Sequence, residues 1–137
     1  MESAVSKPHR RILVVDDEEN TRLALTRLLA REGYDVKTAA NGSEALNQIR
    51  SHPVELIITD LNMPVMNGLA FLRELNREQP ASNVIMITAY GEVESYLEAL
   101  NLGAFEYLNK PVKLDELKKV MRKMFHEPIV NGEEELQ

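Results

Sequence analysis

The chain has 137 residues, room for one domain with a sizeable core and hardly for two. Its 44% hydrophobic and 28% charged residues are the composition of a folded globular chain, not a disordered one. With 16 Lys and Arg against 22 Asp and Glu, the net charge of -6 repels phosphate backbones and anionic lipid, and the lack of cysteine excludes disulfides, thiolate nucleophiles and Cys-ligated metals.

Residues 1–9 carry charges and a proline but no apolar core of a secretory signal, and are expected to form a flexible N-terminal segment. A strand follows at Arg11–Val15, then a helix at Glu19–Glu32 with Leu25, Leu28 and Leu29 on one stripe and Gly33 as its stop. The second strand is Asp35–Ala39. Asn41, with Glu44 three residues on, reads as a capping pair opening a helix over Ser43–Ser51. The third strand is placed at Val54–Thr59, and Asn62-Met63-Pro64 and Asn67-Gly68 supply turn chemistry before a helix at Leu69–Arg77. The fourth strand, Val84–Thr88, precedes a helix at Glu92–Leu102 that Gly103 ends. The fifth strand is Glu106–Leu108. The last helix, Leu114–Phe125, carries Leu114, Leu117, Met121, Met124 and Phe125 at helical spacing. Residues 127–137, with Pro128, Gly132 and the Glu133–Glu135 run, are expected to be a flexible acidic tail, leaving one domain over 10–126.

Five strands alternating with helices predict an α/β fold with a parallel sheet, right-handed crossovers and helices on both faces. Three of the strands are continuous enough to be buried on both sides. The longest apolar runs, such as Ile12–Val15 and Val84–Ile87, fall far short of the roughly 20 residues of a membrane span, and the expected location is the cytoplasm.

Ligands of such sheets collect at the carboxyl ends of the strands. There the first strand runs into Asp16-Asp17-Glu18-Glu19 and the third into Asp60. Read alone, the first group is an acidic helix start that complements the helix dipole, and Asp60 is a turn residue. Were the strands neighbours, the carboxylates would crowd together, and two of them about 4 Å apart repel by roughly 4 kcal/mol at an effective dielectric near 20. A shared proton or a hard, oxygen-liganded cation, Mg2+ by preference, offsets such repulsion. Thr88 with Ala89 and Lys110 with Pro111 add a hydroxyl, an uncrowded backbone N–H and an ammonium at the same rim. A carboxylate nucleophile, a metal held by other carboxylates, and donors for equatorial oxygens are the parts that phosphoryl transfer requires.

Asp16-Asp17, Asp60-Leu61-Asn62-Met63-Pro64 with Gly68, Thr88-Ala89 and Lys110-Pro111, in that order and spacing, resemble the CheY-like receiver domain of bacterial two-component response regulators. The likeness runs from about Arg10 to Phe125, and Ile87-Thr88-Ala89-Tyr90-Gly91 is similar to receivers of nitrogen-response-type regulators. The resemblance implies a doubly wound (βα)5 domain with flavodoxin-like strand order 2-1-3-4-5. It makes Asp60 the phosphoacceptor, taking a phosphoryl group from a sensor histidine kinase or phosphotransfer protein. It assigns Mg2+, with Mn2+ as a substitute, to Asp17, Asp60 and the backbone carbonyl of Asn62, and to Asp16 through water. Lys110 and Thr88 hold phosphoryl oxygens, Thr88 and Tyr107 form the switch, Asn62 and Tyr90 tune phosphate lifetime, and the bond to Pro111 is cis. The implied output is a protein target bound through the fourth helix, fifth strand and fifth helix, roughly Glu92 to Phe125, by a monomer or a phosphorylation-dependent homodimer. The chain is expected to act as phosphoacceptor in its own phosphorylation and dephosphorylation, and not as a turnover enzyme.

Three other readings remain open at this point. The first is a Mg2+-dependent phosphotransferase or phosphatase with an aspartate nucleophile; such enzymes of the haloacid dehalogenase family carry a second Asp where this chain has Asn62, and no Walker or G-x-G-x-x-G cradle is present. A receiver-like module that signals without phosphate keeps the fold alone. A receiver cut from a larger DNA-binding regulator is the third, since the twelve residues after Phe125 hold no recognition-helix pattern and no direct nucleic-acid contact by this chain is expected. His9, His52 and His126 are scattered and read as structural or solvated, and Met63 and Met66 as packing residues.

Overall fold

The apolar runs form strands and the periodic segments form helices, joined by short connections. The computed structural model describes residues 10–63, 65–78, 83–89 and 93–126. The two expected flexible ends, with His9, and also Pro64, Tyr90, Gly91 and Glu92 lie outside these residues. In chain order the elements are β1 (Arg11–Val15), α1 (Glu19–Arg31), β2 (Asp35–Ala39), α2 (Gly42–Ser51), β3 (Leu56–Asp60), α3 (Gly68–Glu78), β4 (Asn83–Thr88), α4 (Val93–Asn101), β5 (Glu106–Asn109) and α5 (Leu114–Phe125). All five strands are parallel, in the order β2-β1-β3-β4-β5.

Successive strand side chains point to opposite faces, so each central strand feeds two cores. Ile12, Val14, Ile58 and Ile87 pack with Leu25 and Leu29 of α1 and Leu117 and Met121 of α5. Leu13, Val15, Ile57 and Met86 pack on the other face with Leu46 and Ile49 of α2, Phe71, Leu72 and Leu75 of α3, and Ala99 of α4. The apolar residues of β1, β3 and β4 are buried throughout, whereas the edge strands β2 and β5 are only partly covered. Of the α1 stripe, Leu28 is only half-buried. Val120 joins the buried face of α5, a position outside the stripe read from the sequence.

Local chemistry sets the ends of the helices. Asn41 Oδ1 accepts from Glu44 N at 2.9 Å, and Glu44 Oε1 accepts from Ala40 N at 2.7 Å, a reciprocal cap for α2. Gly33 and Gly103 end α1 and α4 with φ of 96° and 99°, a region that costs L side chains about 1–2 kcal/mol. The expected start of β3 at Val54 is corrected to Leu56. Pro53 has no N–H to donate, and Arg11 N is taken by the Glu55 carboxylate at 2.6 Å, so the ladder begins two residues later even though Val54 packs on the core. The same strand extends to Asp60, which pairs in register with Ile87.

Among the described side chains of α4, from Tyr96 onward, Ala99 alone is buried. Polar ties to α3 hold the helix, an Arg73–Glu98 ion pair and a hydrogen bond from the Asn76 amide to the Leu102 carbonyl. With β1 and β4 flanking β3, the strand order brings the carboxyl ends that carry Asp16, Asp60 and Thr88 to one rim.

Candidate functional site

Asp60 closes β3 with only 4% of its surface exposed. Its Oδ1 accepts from Asn62 N at 3.3 Å and its Oδ2 from Lys110 Nζ at 3.3 Å. Asp16, just after β1, is wholly buried, and Asp17 beside it is exposed. One carboxylate oxygen from each of Asp16, Asp17 and Asp60 lies within 4.8 Å of the others. The crowding expected from the sequence is therefore present.

Lys110 is the counter-charge. Its Nζ stands 2.9 Å from Asp16 Oδ2, 3.3 Å from Asp60 Oδ2 and 3.6 Å from Glu18 Oε1. The backbone fixes it there, because Lys110 N donates to Thr88 O at 2.8 Å, and the Lys110–Pro111 peptide bond is cis. Burial alone lowers the pKa of Lys110, but the Asp16 and Asp60 carboxylates outweigh it and hold the ammonium above its ordinary value. Burial raises the Asp60 carboxyl, and Asp16 raises it further. Lys110 and the Asn62 N–H pull the other way without cancelling the rise. A buried carboxylate beside two further carboxylates suits a small hard cation, and among the described residues no sulfur or imidazole joins the group.

Thr88 is fully buried at the end of β4, and its Oγ1 accepts from Asn62 Nδ2 at 3.3 Å. Asn62 thereby touches both Asp60, through its backbone N–H, and Thr88, through its amide. Tyr107 is half-buried on β5 and meets Tyr96 edge to face, with ring centroids 5.4 Å apart and planes at 89°. Tyr90 lies outside the described residues. His52 and His126 are exposed at the ends of α2 and α5, and Met63 and Met66 pack on the core.

Gly68 is required for close approach: a Cβ there would stand 2.5 Å from the Asp60 carbonyl and 2.8 Å from Leu61 Cα. In the same loop Val65 is 83% exposed with φ of 70°. Beside the rim, between α1 and the segment after β5, a groove of about 510 Å³ is lined by Asn20, Thr21, Ala24, Leu25, Leu28, Ala89, Lys110, Pro111 and Val112.

Three contacts were not legible in the sequence: the Asn62 amide on Thr88, the Tyr96 ring on Tyr107, and Arg22, whose Nη1 donates to the Asp16 carbonyl at 2.6 Å. The available signal for Arg22 was a cation in the fourth position of a helix that opens with acids.

Comparison with known proteins agrees with this geometry. Residues 12–122 match the family model of the response regulator receiver domain. The regulatory protein AtoC of Escherichia coli K12 is 40% identical over 113 residues, 82% of this chain and 24% of that protein. The DNA-binding transcriptional regulator NtrC of the same strain is 37% identical over 105 residues, 77% of this chain and 22% of that protein. The chain thus spans about a quarter of the length of these curated relatives. Among solved structures, the response regulator protein TrrA of Thermotoga maritima, in complex with Mg2+-BeF, superposes with a TM-score of 0.77 at 40% identity, covering 84% of this chain and 98% of that one. By fold, rim chemistry and sequence, the chain belongs to the response regulator receiver domain family.

Proposed function

We propose that this receiver takes a phosphoryl group onto Asp60 from the phosphohistidine of a sensor kinase or phosphotransfer protein, in a Mg2+-dependent reaction. The supporting observation is the buried Asp60 carboxylate, set among two further carboxylates and touched by Lys110. An Asp60 carboxylate oxygen attacks phosphorus, the P–N bond breaks, and its electron pair leaves with the imidazole. Lys110 sits where it can neutralise charge on the transferred group, and the Thr88 hydroxyl and the Ala89 N–H stand at the same rim as further donors. Asp17, Asp60 and the Asn62 carbonyl would hold Mg2+, with Asp16 acting through water. When bound, the ion neutralises charge on the phosphoryl oxygens.

The groove beside α1 shares Lys110 and Ala89 with the rim and offers Ala24, Leu25, Leu28 and Val112 as apolar wall. A phosphodonor protein seated there presents its histidine to Asp60. Phosphorylation adds anionic charge that draws Thr88 inward from Asn62, and Tyr107 follows into the vacated space. Tyr107 contacts Tyr96 on α4, where Tyr96, Leu97, Leu100 and nearby Phe105 are exposed. This apolar surface of the α4-β5-α5 face is the output site for a protein target. The chain acts as a stoichiometric acceptor and not as a turnover enzyme, inside the cell where kinases deliver the phosphate.

Beryllofluoride, a stand-in for the phosphoryl group, tests the reading. With Mg2+ it is expected to shift the amide signals of Thr88 and Tyr107 in wild type and to leave Asp60→Asn unchanged. Equal spectra of wild type with and without it overturn the reading.

The relative NtrC, by its name a DNA-binding transcriptional regulator, favours a second reading of the output, control of transcription. Asp60→Asn in the chromosome is then expected to alter a restricted set of transcripts, and an unchanged transcriptome contradicts it.

A further inference from the structure

Arg22 occupies an unfavourable place by the usual rules. It lies in the second turn of α1, near the positive end of the helix dipole, where cations are disfavoured, yet it is half-buried. Its guanidinium turns back over the helix start, and Nη1 donates to the Asp16 carbonyl at 2.6 Å. That bond is one of four polar ties on Asp16, three hydrogen bonds and one ion pair. Asp16 N donates to Ala39 O at 3.1 Å, Oδ1 accepts from Glu18 N at 2.9 Å, and Oδ2 faces Lys110 Nζ at 2.9 Å.

The carbonyl that Arg22 holds belongs to the peptide unit joining Asp16 to Asp17. A peptide unit is planar, so fixing its oxygen fixes the direction of the N–H at its other end and the orientation from which Asp17 projects. Asp17 is the exposed member of the carboxylate triad and makes no side-chain hydrogen bond among those found for the described residues, so the backbone is what aims it. We infer that Arg22 is a positioning residue for cation binding: by clamping the Asp16–Asp17 peptide through the Asp16 carbonyl, it presents the Asp17 carboxylate to the metal. This rests on the Mg2+-dependent reading above.

The sign of the effect separates this role from simple electrostatics. Arg22 is a cation close to a cation site, so on charge alone its removal strengthens Mg2+ binding. Weaker binding after removal therefore requires lost positioning. Loss of groups that orient metal ligands costs about 10–100-fold in metal affinity, and a clamp acting through backbone belongs at the low end, about tenfold.

The test compares wild type, Arg22→Met, which keeps the apolar stem, and Arg22→Lys, which keeps a donor. Mg2+ alone is titrated while amide chemical shifts report occupancy and folding, and the Mg2+ dependence of labelling by acetyl phosphate is measured in parallel. Arg22→Met is expected to keep the folded spectrum, to bind Mg2+ about tenfold more weakly, and to reach the wild-type labelling rate at saturating Mg2+. Arg22→Lys is expected to recover most of the affinity. Unchanged or tighter binding by Arg22→Met overturns the inference, as does a lower maximal rate with unchanged Mg2+ affinity. If Arg22→Met fails to fold, Arg22→Gln takes its place, with weaker Mg2+ binding expected and unchanged or tighter binding overturning the inference. Wild type that binds no Mg2+ removes the reading beneath the inference, an outcome distinct from wild type and variant binding alike.

Discussion

Lys110 lies closer to Asp16, at 2.9 Å, than to Asp60, at 3.3 Å. On the proposed function, the ammonium that neutralises the phosphoryl group is thus held in advance by a carboxylate other than the one that receives it. Asp16 is wholly buried, so removing its partner leaves a charge without solvent. Two predictions start from this pairing.

Lys110→Met is expected to lower stability by about 3 kcal/mol in metal-free buffer, the usual cost of orphaning one side of a buried pair. Millimolar Mg2+ should restore much of the loss, because the ion replaces the missing positive charge. The initial rate of labelling by acetyl phosphate is expected to fall by about 100-fold, as when one oxyanion donor is removed. Thermal melts with and without Mg2+, and initial rates, check both parts.

Asp60→Asn is expected to raise the melting temperature at neutral pH without metal. A carboxyl whose pKa is raised in the folded state contributes stability fully below its ordinary value of 3.8, and that contribution is lost as the pH rises through the raised value. At neutral pH the ionised Asp60 is therefore a cost that the amide removes. Melts from neutral pH down toward 4 should show the advantage of Asp60→Asn shrinking.

Val65 holds a β-branched side chain at φ of 70°, a left-handed conformation costing about 1–2 kcal/mol for residues other than glycine and asparagine. Val65→Asn is expected to gain about 1 kcal/mol, a rise of roughly 4 °C in melting temperature. Labelling by acetyl phosphate should not change, since the Val65 side chain is exposed.

Gly68→Ala places a methyl group 2.5 Å from the Asp60 carbonyl. The start of α3 must shift away from β3, at a cost of about 3 kcal/mol, and the Asp60 carboxylate should lose its alignment with Lys110. Denaturant melts and labelling rates are both expected to fall. A fully active, fully stable variant would show that the loop yields freely.

Asp16, Asp60 and Thr88 were legible at the rim because each follows the unmistakable apolar run of a strand. Ile12–Val15 leads to Asp16, Leu56–Thr59 to Asp60, and Val84–Ile87 to Thr88. β1, β2 and α5 lie where the pattern placed them, since Gly33, Asn41 and the spacing from Leu117 to Met124 mark their ends. The start of β3 did not, because Val54 is apolar for packing while its backbone stands outside the ladder. Arg22 escaped notice for a different reason: it works through a backbone carbonyl, which leaves no residue-type signature. The Tyr96–Tyr107 contact joins a helix to a strand, and no spacing rule within one element reveals it.

The central claim is that Asp60 is the phosphoacceptor, and intact mass after incubation with Mg2+ and acetyl phosphate tests it most directly. The account predicts one hydroxylamine-labile phosphoryl adduct on wild type, absent from Asp60→Asn and from wild type stripped of metal by chelator. An adduct of the same yield on Asp60→Asn, or none on wild type shown to bind Mg2+, would contradict it.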